Sequence, residues 1–294
     1  VDFPKPCLSM AVKVSKKGEE EKVAAGLTRL MEEDPTITFA LNKETREQVL
    51  SGLGEQHLDV IVSKLKNKFG VDVTLELPKV AYRETIRKPV EAQGKHKKQS
   101  GGHGQYGHVK MRFGPSGDLE KPYIFEQEVV GGAVPKNYFP AVEKGIQECV
   151  KAGPLAGYPV VGIKATLIDG SYHPVDSSEM AFKIAASLAL KEAKNKCKPI
   201  LLEPIMKVQV VVPDEYLGNV MGDITSRRGR PLGQESRGNA LAIDAMVPLA
   251  EMFGYATSLR SSTQGRGTFT MSLDHYEEVP KSISEEIIKK NGGN

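Results

Sequence analysis

Apolar and polar residues alternate along Leu8, Met10, Val12 and Val14, the period-two signature of a half-buried strand. Val23, Leu27, Leu30 and Met31 then recur at helical spacing, and Asp34-Pro35 ends that helix, because a proline disfavours helical geometry in the residue before it. Alternation resumes at Ile37, Phe39 and Leu41, and Gln48-Val-Leu-Ser-Gly52 predicts the returning strand of a hairpin, with Asn42-Lys-Glu-Thr45 as its solvated turn. A second amphipathic helix carries Leu58, Ile61, Val62, Leu65 and Phe69 and closes at Gly70; Val71, Val73, Leu75 and Leu77 complete the segment. The order is β-α-β-β-α-β, the split βαβ of a ferredoxin-like domain.

The last large segment repeats this rhythm without repeating its letters. Met206, Val208, Val210 and Val212 alternate; Leu217, Val220, Met221 and Ile224 predict a helix ending at Arg227-Arg-Gly-Arg230. Leu241, Ile243, Ala245 and Val247 predict a strand, Met252, Phe253, Ala256 and Leu259 a helix, and Phe269, Met271 and Leu273 a closing strand. Ser282 to Lys290 reads as a short helix with Gly292-Gly293 past its end.

Between these segments, from about Lys79 to Pro199, the pattern changes. Strands are expected near Tyr82–Ala92, Tyr106–Phe113 and Ile124–Val130, followed by a helix with Val142, Ile146, Cys149 and Val150. A strand at Val160–Ile168 leads into a loop, Asp169-Gly-Ser-Tyr-His-Pro174. Asp176-Ser-Ser-Glu179 resembles a capping box opening a long helix that presents Ile184 and Leu188. The class is α+β: two ferredoxin-like split βαβ units flanking a central α/β domain.

Composition narrows the functional classes. Of the 294 residues, 39% are hydrophobic, enough to exclude wholesale disorder. No apolar run approaches the ~20 residues of a membrane span. The first residues, Val-Asp-Phe-Pro-Lys-Pro, contain neither an initiator Met nor a signal-like apolar stretch, so a piece of a longer polypeptide is expected. Cys7, Cys149 and Cys197 are too few and too scattered for a disulfide framework or a zinc site, and fit a reducing cytoplasm.

The net charge is only +3, but it is unevenly spread. Lys79 to Arg112 holds nine Lys/Arg against Glu84 and Glu91, a local +7 that leaves −4 for the rest, and three of the six histidines lie there too. At its centre is Gly94-Lys-His-Lys-Lys-Gln-Ser-Gly-Gly-His-Gly-Gln-Tyr-Gly107, which reads as a flexible positive loop suited to a phosphate backbone. Gly102–Gly107 spells GxGxxG, yet a basic run precedes it and a strand follows, where a dinucleotide site needs a strand and then a helix. Extended to Val109 it matches a kinase glycine loop, but no VAIK-type lysine, HRD or DFG accompanies it. The chain also contains no GxxxxGK[ST], HExxH or GxSxG, and Asn42-Lys-Glu-Thr45 lacks the Asp of a guanine-reading motif. No catalytic residue and no metal ligand are expected. Gln99 and Gln105 could read a base edge or solvate a loop, His173 could be a contact or a surface histidine, and Tyr106 could stack on a base or simply occupy a strand. Arg227, Arg228 and Arg230 complement a helix end and are spaced for a phosphate row.

Several longer strings then become recognisable: Gly52-Leu-Gly-Glu-Gln-His-Leu58, Gln99-Ser-Gly-Gly-x-Gly-Gln-Tyr-Gly-His-Val109, Ala152-Gly-Pro-Leu-Ala-Gly-Tyr-Pro159, Gly170-Ser-Tyr-His-x-Val-Asp-Ser-Ser178, Leu202-Glu-Pro-Ile-Met206 and Pro248-Leu-Ala-Glu-Met-Phe-Gly-Tyr-Ala256. Together they span nearly the whole chain, and in that order it resembles the C-terminal part of bacterial translation elongation factor G. The resemblance implies that residues 1–78, 79–200 and 201–276 correspond to the family's third, fourth and fifth domains, with 277–294 as a helical tail. It further implies a left-handed βαβ crossover in the fourth domain, an exception to the usual hand.

What the resemblance implies about function is specific. The fourth domain mimics tRNA and enters the decoding region, with two tip loops that fall here on Lys97–Gln105 and Asp169–Pro174. The expected contacts are Lys97, Lys98, Gln99, Ser100, Gly101, Gly102, His103, Gly104 and Gln105 from the first, and Ser171, Tyr172 and His173 from the second. Arg227, Arg228 and Arg230 become candidate rRNA contacts. The implied partners are the ribosome (rRNA and ribosomal proteins), tRNA, mRNA and ribosome recycling factor, for a cytoplasmic monomer. GTP and Mg are expected in the family's N-terminal part and no cofactor in this one. His103 stands where the family usually has Arg, a change also found in elongation-factor-G-like paralogues; it replaces a permanent charge by one largely lost above pH ~6.5. The alternatives are a recycling paralogue, a ribosome-protection protein and, more remotely, an autonomous nucleotide-processing enzyme using the histidine-rich loop.

Overall fold

A computed structural model describes residues 8–291. The described residues divide into two compact units: residues 8–81 with 203–275, and residues 82–202 with 276–291.

The first unit opens with β1 (Leu8–Val14), α1 (Glu20–Glu33), β2 (Thr38–Asn42), β3 (Glu47–Gly52), α2 (Glu55–Phe69) and β4 (Val73–Glu76), as the apolar periodicity predicts. In the second unit follow β5 (Arg83–Ile86), β6 (Val90–Lys98), β7 (Gln105–Pro115), β8 (Tyr123–Gln127), α3 (Phe139–Cys149), β9 (Ile163–Ser171) and α4 (Glu179–Lys194). The strand expected over Tyr82–Ala92 is therefore two strands; Pro89 separates them, since it has no N–H for a ladder. β10 (Pro199–Pro213), α5 (Leu217–Ser226), β11 (Arg230–Arg237), β12 (Ala240–Pro248), α6 (Tyr255–Ser262) and β13 (Thr268–Glu278) complete the strand-bearing part, and α7 (Lys281–Lys290) is the tail helix. Cys7 and Gly292-Gly293 lie outside the described residues.

In the first unit the strands run β11-β12-β10-β13-β1-β3-β2, with β4 also on β1. β1 pairs antiparallel with β3 and parallel with β13, which joins the two βαββαβ halves into one sheet. β11 is not predicted by the apolar pattern. All eight of its residues are exposed, so nothing in Arg-Pro-Leu-Gly-Gln-Glu-Ser-Arg alternates; it is held by its ladder to β12. The strand completes the second split βαβ. One continuous core, with Leu27, Leu50, Leu65, Val210, Ile243 and Phe269 among its members, underlies both halves.

The second unit is built on a four-stranded sheet ordered β6-β7-β9-β8, in which β8 and β9 are parallel. α3 and α4 cover one face, over Val109, Met111, Phe113, Ala165 and Leu167. Helix α4 presents a face of small residues here. Ala181, Phe182, Ala185, Ala186, Ala189 and Ala193 are buried, whereas the expected Leu188 is exposed and Ile184 is only half-buried. The sheet glycines explain the difference. A Cβ on Gly94 would stand 1.8 Å from the Ala185 carbonyl oxygen, and one on Gly107 would stand 2.6 Å from the Ala181 carbonyl. Backbone meets backbone, so only alanine fits between. Gly94 and Gly107 thus serve helix packing, not loop freedom. The N-cap of α4 is Ser178, whose hydroxyl accepts the Ala181 N–H at 3.1 Å, so Asp176 and Glu179 form no capping box.

Candidate nucleic-acid interface

β6 and β7 form a long antiparallel hairpin that remains paired to Lys98↔Gln105. Lys97, Lys98 and Gln105 are therefore strand residues, and the loop is confined to residues 99–104. Its turn needs left-handed backbone, supplied by Gly101 (φ 44°) and Gly102 (φ 121°). The second expected loop shortens in the same way. Asp169, Gly170 and Ser171 belong to β9, opposite Lys110, Val109 and His108, past a bulge at Lys110/Met111; the loop begins at Tyr172. Alternation stops being legible there because the core ends before the ladder does.

The two loops lie at the same end of the sheet and are hydrogen-bonded together. Gly104 N–H donates to Asp176 Oδ1 at 3.2 Å, and Tyr106 N–H to the Asp176 carbonyl at 3.0 Å. Ser177 Oγ donates to the Tyr106 carbonyl at 2.9 Å while accepting the His173 N–H at 2.8 Å. His173 Nδ1 accepts the N–H groups of Val175 (3.2 Å) and Asp176 (3.0 Å). With Nδ1 accepting, and the Asp176 carboxylate 3.7 Å from it, the half-exposed ring turns Nε2–H outward as a donor. Gln99, Ser100, Gly101, Gly102 and His103 are all exposed, as are Lys97, Lys98 and Tyr172. None of Lys97, Lys98 and His103 forms an ion pair among the described residues. The arrangement offers cations and neutral N–H donors on a fixed base, which suits a phosphate or base edge.

A polar chain behind the tip was not visible in the sequence. Tyr106 Oη lies 2.6 Å from Ser171 Oγ, which lies 2.9 Å from His108 Nδ1; His108 Nε2 in turn is 3.1 Å from Gln93 Oε1. Burial, and then the positive Lys95, push the His108 imidazole below its ordinary pKa, with Asp169 opposing. The serine–histidine contact has a neutral amide where a hydrolase would have a carboxylate, and the serine hydroxyl is also the partner of Tyr106. It orders a surface.

Two of the three arginines after α5 have their guanidinium groups engaged inside the unit. Arg227 bonds Asp223 Oδ2 (3.0 Å), the carbonyls of Glu251 (2.6 Å) and Phe253 (3.1 Å) and Ser258 Oγ (3.2 Å), and lies over the Tyr255 ring. Arg228 grips the buried Glu203 through two bonds, 2.8 and 3.1 Å, and reaches Glu251 at 3.0 Å. These carboxylates raise its already high pKa further. Only Arg230, the first residue of β11, is exposed. The three do not form a phosphate row; a charge count along the chain does not reveal which cations have internal carboxylates.

Among the described residues no group of three His, Cys, Asp or Glu could hold a metal ion, and no helix is long and apolar enough to cross a membrane. Three family models match successive stretches of the chain: Elongation Factor G, domain III over residues 3–77, Elongation factor G, domain IV over residues 78–198, and Elongation factor G C-terminus over residues 200–287. A crystal structure of a Thermus thermophilus protein is 43% identical with a TM-score of 0.82; the match covers 100% of this chain and 44% of that one. The chain thus spans less than half the length of that protein.

Proposed function

The chain belongs to the elongation factor G family, and on that premise we propose that it is the ribosome-engaging arm of a translational GTPase that promotes movement of tRNA and mRNA. The observation carrying this reading is the joined tip: residues 97–104 and 172–176, tied through Asp176, present Lys97, Lys98, Gln99 and the Nε2–H of His173 from one end of a sheet. Such a tip acts by binding and by blocking return, not by covalent chemistry. GTP and Mg belong to the remainder of the parent protein, and rRNA, ribosomal proteins, tRNA and mRNA are the partners.

The test is single-turnover mRNA–tRNA translocation by the intact factor with GTP. Gln99→Ala or His173→Ala slows movement by about tenfold, the value of one charge-assisted hydrogen bond, while GTP hydrolysis persists. Equal loss of both activities would sink the reading. The exposed His103 at the tip supports a second one, a paralogue acting with ribosome recycling factor; ribosome binding without movement by the unmutated factor would select it.

A further inference from the structure

The open face of the β6-β7-β9-β8 sheet, opposite α3 and α4, carries chemistry of its own. We propose that its tip-proximal half is a track for the sugar–phosphate backbone of RNA, which meets the tip at Lys97 and extends it through Lys95, His108 and Lys110. The choice of RNA over other polyanions rests on the ribosomal reading of the tip; the surface itself is read from its own residues.

Cross-strand pairing places Gln93 beside Lys110, Lys95 beside His108 and Lys97 beside Tyr106, on the face away from the buried Ala92, Gly94, Val109 and Met111. Successive residues on one face of a strand are about 7 Å apart, so Lys95, Lys97 and Lys110 form a spaced group of ammonium ions. None of the three forms an ion pair among the described residues. One carboxylate, Asp169, faces them across from Lys110, leaving three cations against one anion.

The far half of the same face is different. Arg112 is bound to Glu128 at 3.1 Å and Lys164 to Glu126 at 3.3 Å, with Glu91 unmatched beside them. The positive potential is therefore confined to the half that leads into the tip.

The second observation is aromatic. The half-buried Tyr106 ring has the Lys95 ammonium 5.7 Å from its centroid, and its hydroxyl is held by Ser171. His108 is bonded on both nitrogens and stays neutral near pH 7. Two flat rings with satisfied polar atoms, set between unpaired lysines on a sheet, suit ribose and base faces beside phosphates. An acidic peptide would use the lysines but not the rings.

The test uses the 294-residue chain and a fluorescein-labelled RNA stem-loop, followed by anisotropy between about 50 and 300 mM KCl. Lys95→Gln/Lys110→Gln, which leaves the tip lysines in place, weakens binding about fivefold at the low-salt end and lowers the salt slope by about 1.5, since each phosphate contact contributes nearly one. Asp169→Asn tightens binding about twofold, a gain that misfolding could not produce. Gln99→Ala keeps the unmutated slope, because it removes no cation.

Unchanged affinity and slope in the lysine variant would overturn the track, and the tip would still stand if its own variant weakened binding. Failure of the unmutated chain to bind the stem-loop would overturn the track and deprive the tip of support. Lysine-dependent binding of poly-glutamate in place of RNA would overturn it in favour of an acidic protein partner.

Discussion

Glu84 in β5 is fully buried, and its carboxylate is met by main-chain N–H groups: Leu155 at 2.7 Å, Ala156 at 3.1 Å and Tyr158 at 2.9 Å. The loop wraps it closely, since a Cβ on Gly153 would stand 2.3 Å from the Glu84 carboxyl carbon. Glu84→Ala orphans three donors. At about 1–3 kcal/mol each the sum is an upper bound, because the loop residues are only half-buried and water can reach some of them; about 3–5 kcal/mol is expected. Gly153→Ala drives a methyl into the carboxylate and costs about as much as severe overpacking, roughly 2–3 kcal/mol. In the Glu84→Ala background that methyl enters vacated space. The double variant should therefore be more stable than additivity predicts by about 2 kcal/mol. Urea unfolding followed by circular dichroism gives the energies; hydrogen exchange of the Leu155, Ala156 and Tyr158 amides gives the local readout that a two-unit chain requires. Additivity within about 0.5 kcal/mol, or unchanged exchange in Glu84→Ala, would refute the account.

Arg228→Ala strands the buried Glu203 and is expected to cost about 3 kcal/mol by urea midpoint, with Arg228→Lys a poor substitute because an ammonium cannot make the paired bonds. Lower RNA affinity at unchanged stability would instead restore Arg228 as an RNA contact. His108 has a folded pKa below the unfolded value of about 6.5, so the folded chain binds fewer protons; the associated stability is complete above that pH and is lost as pH falls through the folded pKa. Between about pH 7.5 and 5.5 the urea midpoint of the unmutated chain should fall further than that of His108→Gln, and parallel curves would remove His108 as the cause.

The ferredoxin-like halves were legible because their strands and helices each bury one face, and burial imposes a period. β11 was hidden because it buries nothing. The large apolar residues of α4 do not mark its inner face, because its contact with the sheet is backbone to backbone, at Gly94 and Gly107, and alanine lines it. The basic, glycine-rich stretch has the composition of one flexible loop but holds two strand ends and a short turn. Glycine serves both needs, and only the partner distinguishes them. The site was partly legible: the residues of both tip loops could be named, whereas the chain from Gln93 through His108 and Ser171 to Tyr106 needed the register of three strands. Ala152-Gly-Pro-Leu-Ala-Gly-Tyr-Pro159 marked the family without revealing its task, which is to enclose Glu84.

On the proposed reading the tip bears load, and a loaded tip must not yield where it joins its support. An isolated hairpin with glycines at its turn would bend, and on its own it is marginally stable. Here α4 clamps the hairpin from one face through the Gly94 and Gly107 contacts, and Asp176 holds its end through Gly104 N–H and Tyr106 N–H. Asp176 lies just before the N-cap of α4, so the same helix that presses on the strands also anchors the second loop. Freedom is left only to the few residues between Lys98 and Gly104. A short adaptable contact on a stiff lever can accommodate the irregular surface of folded RNA while transmitting force along the sheet, and neither a wholly rigid nor a wholly flexible tip could do both.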